Sequence, residues 1–456
     1  MCDDHGWHHD GRRARARRWP CPREPALSGG ARARELRVMI VTDQYEPMVG
    51  GVPTVTRELA VGLADRGHTV AVIAPSETRQ DRRAGGPVVA GTVTVDYRGS
   101  VPWPWYEGQR LGLLAPSRAG ELIGAFGPDV VHLHSPLTLG VAARTAARRR
   151  QVPVVYTNHY LPLNVWPAAA RSGAGITSRA RDAAFYACVT GFANGCDLVT
   201  APTATGLRLL HSHGLAAPSQ TVSNGIDLDW FSPGPADEAL RSAYGVPPGR
   251  PVIVSVGRLS PEKRADVLIG ALARLGRTGD HAAGDSGPVL VLAGSGPDER
   301  RLRSLARHYG VANRVLFTGF VPDDDLPGLY RLADVFAIAS QAELQSLVTM
   351  AAMACGLPVV AVDAGALTEL VHAGENGFLA RPGDAAQLAD CLELVCRDAA
   401  LRARMSKASV RIIAGHDRHL LLQRWESIYC ALARPAAGAA RENRTKSQAK
   451  VSDGQP

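Results

Sequence analysis

Residues Ser340–Leu370 read SQAELQSLVTMAAMACGLPVVAVDAGALTEL, and the rest of the chain can be ordered around this segment. Leu344, Leu347, Val348, Met350, Ala351 and Ala354 space out as a short helix rich in apolar and small residues, with no clean polar face. Gly356-Leu357-Pro358 stops that helix. Val359–Val362 is then a continuous apolar run, the pattern of a parallel strand buried on both faces. Gly365 follows, and Glu369 sits on a further helix. The unit is strand–helix–strand–helix of an open α/β sheet, whose ligand-binding loops lie at the strand carboxyl ends. Ser340-Gln341-Ala342-Glu343 leads into the first helix. A carboxylate there can accept hydrogens from hydroxyls, while the free N–H groups of the first helical turn face any bound anion. A polyol reader beside a phosphate cradle points to a nucleotide-sugar. The plainer alternative is an ordinary βαβ unit with an exposed Glu343.

Upstream, Leu36–Thr42 (LRVMIVT) reads as a buried strand, followed by a loop ending in Gly50-Gly51 and a helix opened by Pro53 at a position where its missing N–H costs nothing. That helix runs to Arg66, stops at Gly67, and His68–Ala74 is the next strand. Further strands are expected at Val88–Val95, Val130–His134, Val152–Thr157, Leu198–Ala201 and Gln220–Val222, with helices at Ser117–Phe126 and Leu139–Arg149 between them. The first loop lacks the G-x-G-x-x-G pattern, so NAD is not inferred. Asn224–Pro235 (NGIDLDWFSPGP) reads as a linker, after which strands and helices alternate again from Val252 to Ala339. Arg277–Pro288 has no apolar period and reads as a surface insertion. A last helix, Arg418–Ala433, carries an apolar face of Leu420, Leu421, Trp425, Ile428 and Tyr429 that must be buried, and it is expected to return to the first domain. Two α/β sheets in tandem imply a ligand cleft between them.

The 456 residues suffice for about two or three domains. The formal charge is +8, but residues 1–37 hold nine Arg against five acids and residues 435–456 hold four Lys/Arg against two. The folded body is nearly balanced, and no aromatic series interleaves with basic residues, so nucleic acid is not a partner. The eight cysteines form no C-x-x-C pair, and several sit in apolar helical contexts, which fits a reducing, cytoplasmic setting. No run approaches the roughly 20 apolar residues of a membrane span. Arg12-Arg13 and Arg17-Arg18 are not followed by an apolar h-region, which argues against a twin-arginine export signal. The first 35 residues read as a disordered basic extension, or as a start placed too early, with the fold beginning near Leu36.

Ser255–Lys263 (SVGRLSPEK) ends a strand at Gly257 and projects Arg258 and Lys263 beyond it. Two fixed cations at a strand end suit a diphosphate. The alternative is a surface pair with Glu262. Gly-Arg-Leu-x-x-Glu-Lys here, then Gly294-Ser295-Gly296-Pro297, Phe317-Thr318-Gly319-Phe320-Val321, and Glu343 with Ala-Met-Ala-x-Gly-Leu-Pro-Val-Val, together resemble the C-terminal half of family 4 retaining glycosyltransferases. In the N-terminal half Thr42–Val52, Val131–Ser135 (VHLHS), Tyr156–His159 (YTNH) and Ser223–Asp227 (SNGID) are similar to that family in the same order, so the resemblance spans about residues 36–430.

The resemblance implies an α/β GT-B fold: two Rossmann-like parallel-sheet domains facing a cleft. Residues 36–232 would be the acceptor-side domain and 233–415 the nucleotide-sugar domain. Residues 416–434 would return as a helix to the first domain, with a disordered tail at 435–456. It also implies roles. Arg258 and Lys263 would grip the donor diphosphate, with Gly50 and Gly51 letting backbone amides approach it. Glu343 would read hydroxyls of the transferred sugar, and His159 would contact that sugar from the first domain. The N–H groups of Leu344, Gln345, Ser346, Leu347 and Val348 would add helix-terminus stabilisation. Phe320 and Val321 would face the base. His134, Gly257, Gly294, Gly296 and Glu369 complete the donor-binding set. The implied reaction moves a hexose from a UDP- or GDP-sugar to a lipid or small-molecule hydroxyl with retention. The nucleotide-sugar is a co-substrate; no cofactor and no metal is expected. Asp323-Asp324-Asp325 reads as a helix N-terminal acid cluster, and the spaced pairs His132/His134 and His211/His213 lack a third ligand.

One position departs from the family. Its E-x7-E pattern places a second Glu, holding the ribose, at Ala351. The alternative function is therefore a non-catalytic GT-B partner or regulatory protein. A third, a sugar epimerase, has no residue supporting it. Trp103, Trp105 and Tyr106 in Val101–Gln109 (VPWPWYEGQ), with Trp166, Arg171, Arg179 and Arg181 in the Tyr160–Arg181 loop, resemble the acceptor- and membrane-facing region of glycolipid-forming relatives. Peripheral contact with an anionic membrane at its inner face would follow; the alternative is a loop packed on its own domain.

Overall fold

The computed structural model describes residues 34–76, 88–90, 93–103, 110–165, 176–275 and 287–433. The expectations on Trp105, Tyr106, Trp166, Arg171, the N-terminal extension, the C-terminal tail and most of 277–288 lie outside these residues.

Two sheets organise the chain. The first runs in the order β10-β9-β8-β7-β1-β2-β4-β3. Its strands are β1 (Arg37–Val41), β2 (Thr69–Pro75), β3 (Val88–Ala90), β4 (Val93–Arg98), β7 (Val130–Leu133), β8 (Val154–Thr157), β9 (Leu198–Ala201) and β10 (Ser219–Thr221). The second, β13-β12-β11-β14-β15-β16, uses β11 (Val252–Val256), β12 (Val289–Ala293), β13 (Val315–Gly319), β14 (Val335–Ile338), β15 (Val359–Val362) and β16 (Gly377–Ala380). All pairings are parallel except β3 with β4. Strand β15 is apolar throughout, and β7 is apolar but for His132, because helices cover both faces and every residue is buried.

Both sheets reverse direction of growth. In the first, the chain builds outward from β1 through β2, then returns to lay β7 on the other side of β1. In the second, β11 grows to β12 and β13, then β14 lands on its other side. Each reversal leaves a crevice at the strand carboxyl ends, between the loops after β1 and β7 and between those after β11 and β14.

The structure corrects the sequence reading at several places. Val88–Val95 is not one strand: β3 and β4 pair antiparallel, on either side of Gly91-Thr92. Val101 and Pro102 lie in β5 (Ser100–Pro102), which pairs antiparallel with β6 (Arg110–Gly112). The first helix starts at Gly51, so Pro53 is its third residue, still among the N–H groups that lack helical partners. The helix expected from Leu344 begins at Leu347. Ser346 caps it, its side chain accepting from the Thr349 N–H.

The helix Arg418–Leu432 packs on the first sheet, as its apolar face required. Leu421, Leu422, Trp425, Ile428 and Tyr429 join Val38, Ile40, Leu59 and Val155 in one buried cluster. Leu420, assigned to that face, is instead 52% exposed, and Leu422 takes its place. Leu422 lies against Gly62, where a Cβ would stand 2.6 Å from it, so the two helices approach through the glycine. Glu426 adds hydrogen bonds to Arg66 at 2.6 Å and His68 at 3.0 Å. The domains are thus joined twice. Beside the first crossing, Ile226 donates to the His416 carbonyl and accepts from the Arg418 N–H, both at 2.9 Å.

Trp425 is 4% exposed in this cluster. Trp425→Ala is expected to cost about 3–5 kcal/mol of stability. Chemical denaturation read by circular dichroism checks this; a loss under about 1 kcal/mol would mean that the helix is not held there.

Candidate active site

The two crevices face each other, and the sequence motifs meet there. On the second domain, Gly257 ends β11 and the loop passes through Arg258 to a 3-10 turn at Pro261–Lys263. Lys263 Nζ lies 2.6 Å from Glu343 Oε1, across the β11/β14 crevice. The Lys263 side chain is about a third exposed and the Glu343 side chain is nearly buried. Glu262, the partner in the alternative reading, is buried and accepts from the Ser260 hydroxyl. Gly294 and Gly296 bring the β12 loop onto this one. A Cβ on Gly294 would stand 2.1 Å from the Gly257 carbonyl oxygen, and one on Gly296 2.3 Å from that of Leu259. Their demonstrable work is therefore close backbone packing. Phe320 is exposed and Val321 buried just after β13.

On the first domain, the loop after β1 ends at Gly50, and Gly51 opens the helix. A Cβ on Gly51 would lie 3.8 Å from Leu347 Cδ1, so the glycine pair faces the start of the Leu347–Ala354 helix. His134 and His159 follow β7 and β8 and hydrogen-bond through Nδ1 and Nε2 at 2.9 Å. Burial holds both imidazoles neutral, pushing His159 down to about 4 and His134 below its usual range.

Residues 344–346 do not lie in the helix and make other contacts. Leu344 offers its carbonyl to the Thr203 hydroxyl at 2.7 Å. The Gln345 side chain accepts from the Asn224 N–H at 2.7 Å and donates to Ser223 Oγ at 3.0 Å. Glu369 accepts from the N–H groups of Ala204 and Thr205, at 3.1 and 2.6 Å, at the start of the helix Ala204–Ser212. All these partners belong to the first domain. Groups of residues 344, 345 and 369 therefore fasten the two domains, and the N–H groups of Leu347 and Val348 lie at the start of the helix itself.

Sequence reasoning did not single out Asp43, Thr203 or the walls of an interdomain cavity. Asp43 follows β1 at the first crevice, almost fully buried, and burial pushes its carboxyl up to about 6. One oxygen accepts from the Gly112 N–H at 3.3 Å. Its signal was a lone acid directly after an apolar strand. The cavity, of about 220 Å³, lies beside Glu343 between Leu161, Tyr186, Leu209 and Leu344, with Asp182 on its wall. Arg181 pairs with that Asp182 at 2.9 Å, while Arg179 is exposed. Among the described residues no group of three His, Cys, Asp or Glu could hold a metal, and no helix is long and apolar enough to cross a membrane.

Two Rossmann-like domains with their functional loops at opposed strand ends define a GT-B glycosyltransferase scaffold. Residues 49–230 match the family described as Glycosyltransferase Family 4, and residues 236–411 match Glycosyl transferases group 1. The chain belongs to this glycosyltransferase family. It is 32% identical over 344 residues to a GDP-mannose-dependent alpha-mannosyltransferase of Mycolicibacterium smegmatis, covering 75% of this chain and 84% of that one. It is 30% identical over 411 residues to a GDP-mannose-dependent alpha-(1-6)-phosphatidylinositol monomannoside mannosyltransferase of Mycobacterium tuberculosis, covering 87% and 97%. Among solved structures, sucrose-phosphate synthase from Thermosynechococcus elongatus superposes with a TM-score of 0.71 at 20% identity, covering 88% and 99%.

Glu369 reaches the other domain through hydrogen bonds from two backbone N–H groups. Bonds to a charged acceptor are worth about 1.5–3 kcal/mol each. Glu369→Ala should therefore shift the balance of open and closed domains at least about tenfold toward open. Small-angle scattering should show a larger radius of gyration; unchanged scattering and an unchanged donor KM would remove Glu369 from this role.

Proposed function

We propose that the chain transfers a hexose from a nucleotide-sugar, with retention, to a hydroxyl of a lipid or small-molecule acceptor. The observation that carries this is the Lys263–Glu343 contact at the second crevice, with Gly51 of the first domain facing Leu347 on the helix that follows Glu343. A cation suited to a diphosphate and a carboxylate suited to sugar hydroxyls stand within one hydrogen bond, so one bound donor would take over both partners. Of UDP- and GDP-linked donors, GDP-mannose is favoured by the likeness to two GDP-mannose-dependent mannosyltransferases. The second of them acts on a phosphatidylinositol mannoside, which supports a lipid acceptor and a peripheral, cytoplasmic-face location for this chain.

In this reading the bond between the anomeric carbon and the phosphate oxygen breaks as the acceptor oxygen bonds to the same face. The acceptor proton passes to the departing phosphate. Arg258 and Lys263 neutralise charge as it develops, Glu343 and His159 hold the sugar, and the Leu347 and Val348 N–H groups face the phosphates. The enzyme contributes positioning and electrostatic stabilisation, and the scheme calls on no metal.

Arg258→Ala and Lys263→Ala should each slow turnover about a hundredfold or more, by analogy with removal of an oxyanion-hole donor. Mass spectrometry after incubation with a panel of UDP- and GDP-sugars identifies the donor used for that measurement. Less than a tenfold effect from both substitutions would remove the two cations from the diphosphate.

The second reading, a non-catalytic GT-B protein, rests on Ala351, which is 4% exposed on the Leu347–Ala354 helix. We take the Ala to weaken the hold on the spectator ribose, raising KM and sparing kcat. Ala351→Glu should lower donor KM roughly ten- to a hundredfold, the worth of hydrogen bonds to a charged acceptor. If the natural chain shows no turnover at millimolar donor and the Glu variant does, the non-catalytic reading is the correct one.

A further inference from the structure

His134 is sealed in the first domain, and its Nε2 has no hydrogen-bond partner among the described residues. Its other nitrogen, Nδ1, lies 2.9 Å from His159 Nε2, and the two rings stack with centroids 5.1 Å apart and planes within 9°. The neighbouring His132 cannot serve Nε2. Its own nitrogens are engaged with Tyr429 Oη and Thr157 Oγ1, each at 2.7 Å. Both His134 and His159 are neutral, so the hydrogen bond between them contains one proton, and its owner fixes both tautomers.

The sealed nitrogen decides the owner. A buried N–H without a partner is rarer and costlier than a bare acceptor. If His159 donated, His134 would carry its proton on the sealed Nε2, an orphaned donor. If His134 Nδ1–H donates, the sealed Nε2 is only an unused lone pair. The second arrangement is the stable one. It leaves His159 protonated at Nδ1, a nitrogen that takes no partner among the described residues and is not among the sealed atoms.

We propose that His134 is a positioning residue for the transfer reaction. Its Nδ1–H holds the His159 ring in place and compels His159 to present Nδ1–H, a hydrogen-bond donor, to an oxygen of the transferred sugar. This rests on the reading that His159 faces that sugar. Without His134, His159 is free to move its proton to Nε2 and offer the sugar a bare nitrogen.

The test separates the two layers. Nitrogen-15 spectra of uniformly labelled protein, without substrate, report the tautomer of His159. The wild type should show Nδ1 protonated and Nε2 bare. His134→Phe keeps an aromatic ring but removes the donor, and His159 should lose that preference. His134→Asn places an amide N–H where Nδ1 was and should restore it. In turnover of GDP-mannose, or of the donor the panel identifies, the Phe variant should lose about tenfold in kcat/KM, the worth of one hydrogen bond, and the Asn variant should recover most of it. A wild-type His159 protonated at Nε2 overturns the proposal without any variant. So does a Phe variant with an unchanged tautomer, whatever the rates. His159→Ala is the control for the sugar contact: if it leaves turnover unchanged, the placement of His159 is at fault while the spectra still judge His134.

Discussion

The molecule depends on two sheets meeting by their strand carboxyl ends without being fused. The contacts across that meeting are mostly hydrogen bonds: Glu369 with the Ala204 and Thr205 N–H groups, Leu344 with Thr203, and Gln345 with Ser223 and Asn224. The apolar part is a small cluster of Leu161 with Ala342 and Leu344. Such bonds exchange readily for bonds to water, and their net worth is modest. A large apolar seam would instead lock the domains. The covalent crossings, by contrast, are well secured, with Ile226 paired to the 416–418 backbone and Arg418 bound to Asp227 at 2.8 Å. A firm double hinge with a weakly bonded opposite edge is what a cleft needs if it must admit one substrate and then enclose it.

Charge is divided between the two edges. The second domain carries Arg258, Lys263 and Glu343, whereas the first carries the His159 imidazole, which burial keeps neutral. An anionic donor would therefore be recruited by one domain alone, before closure. The first domain then adds uncharged contacts that demand direction more than charge. His159 fits that division because a neutral ring can act as a donor or an acceptor, and its surroundings choose which.

Much of this was legible in the sequence because it follows from periodicity. The apolar run of β15, the mostly apolar β7 and β11, the glycines closing the helices and the buried face of Arg418–Leu432 all express burial, which leaves a regular trace. The pairing of Lys263 with Glu343 was not legible, since the residues are far apart in the chain and their contact exists only because β14 lands beside β11. The interdomain bonds of the Gln345 side chain and of Glu369 were not legible for the same reason. Nothing local distinguishes a carboxylate that awaits a ligand from one that caps a helix in another domain. Leu420 failed on phase: a helical stripe read without its partner can be rotated by one residue, and only Gly62 shows why Leu422 is the residue buried.

Ala351 shows how the site can tolerate a loss. The groups placed at the second crevice act in two ways. Arg258 and Lys263 would oppose charge that grows as the bond to phosphate breaks, so their effect is greatest in the transition state. A hold on the ribose acts equally before and during that step, and so contributes affinity without contributing rate. Ala351 sits within the second domain's core cluster, where a methyl side chain packs without leaving any polar atom to satisfy. In the proposed reading, Ala in place of a second Glu would remove a contact of the uniform kind while leaving the Lys263–Glu343 pair, the helix terminus at Leu347 and the interdomain contacts of Gln345 and Glu369 standing. The Gln345 and Glu369 contacts would serve any two-domain scaffold, but a bystander has no reason to keep Lys263 and Glu343 poised together at the crevice. Their joint presence favours transfer over a purely regulatory role.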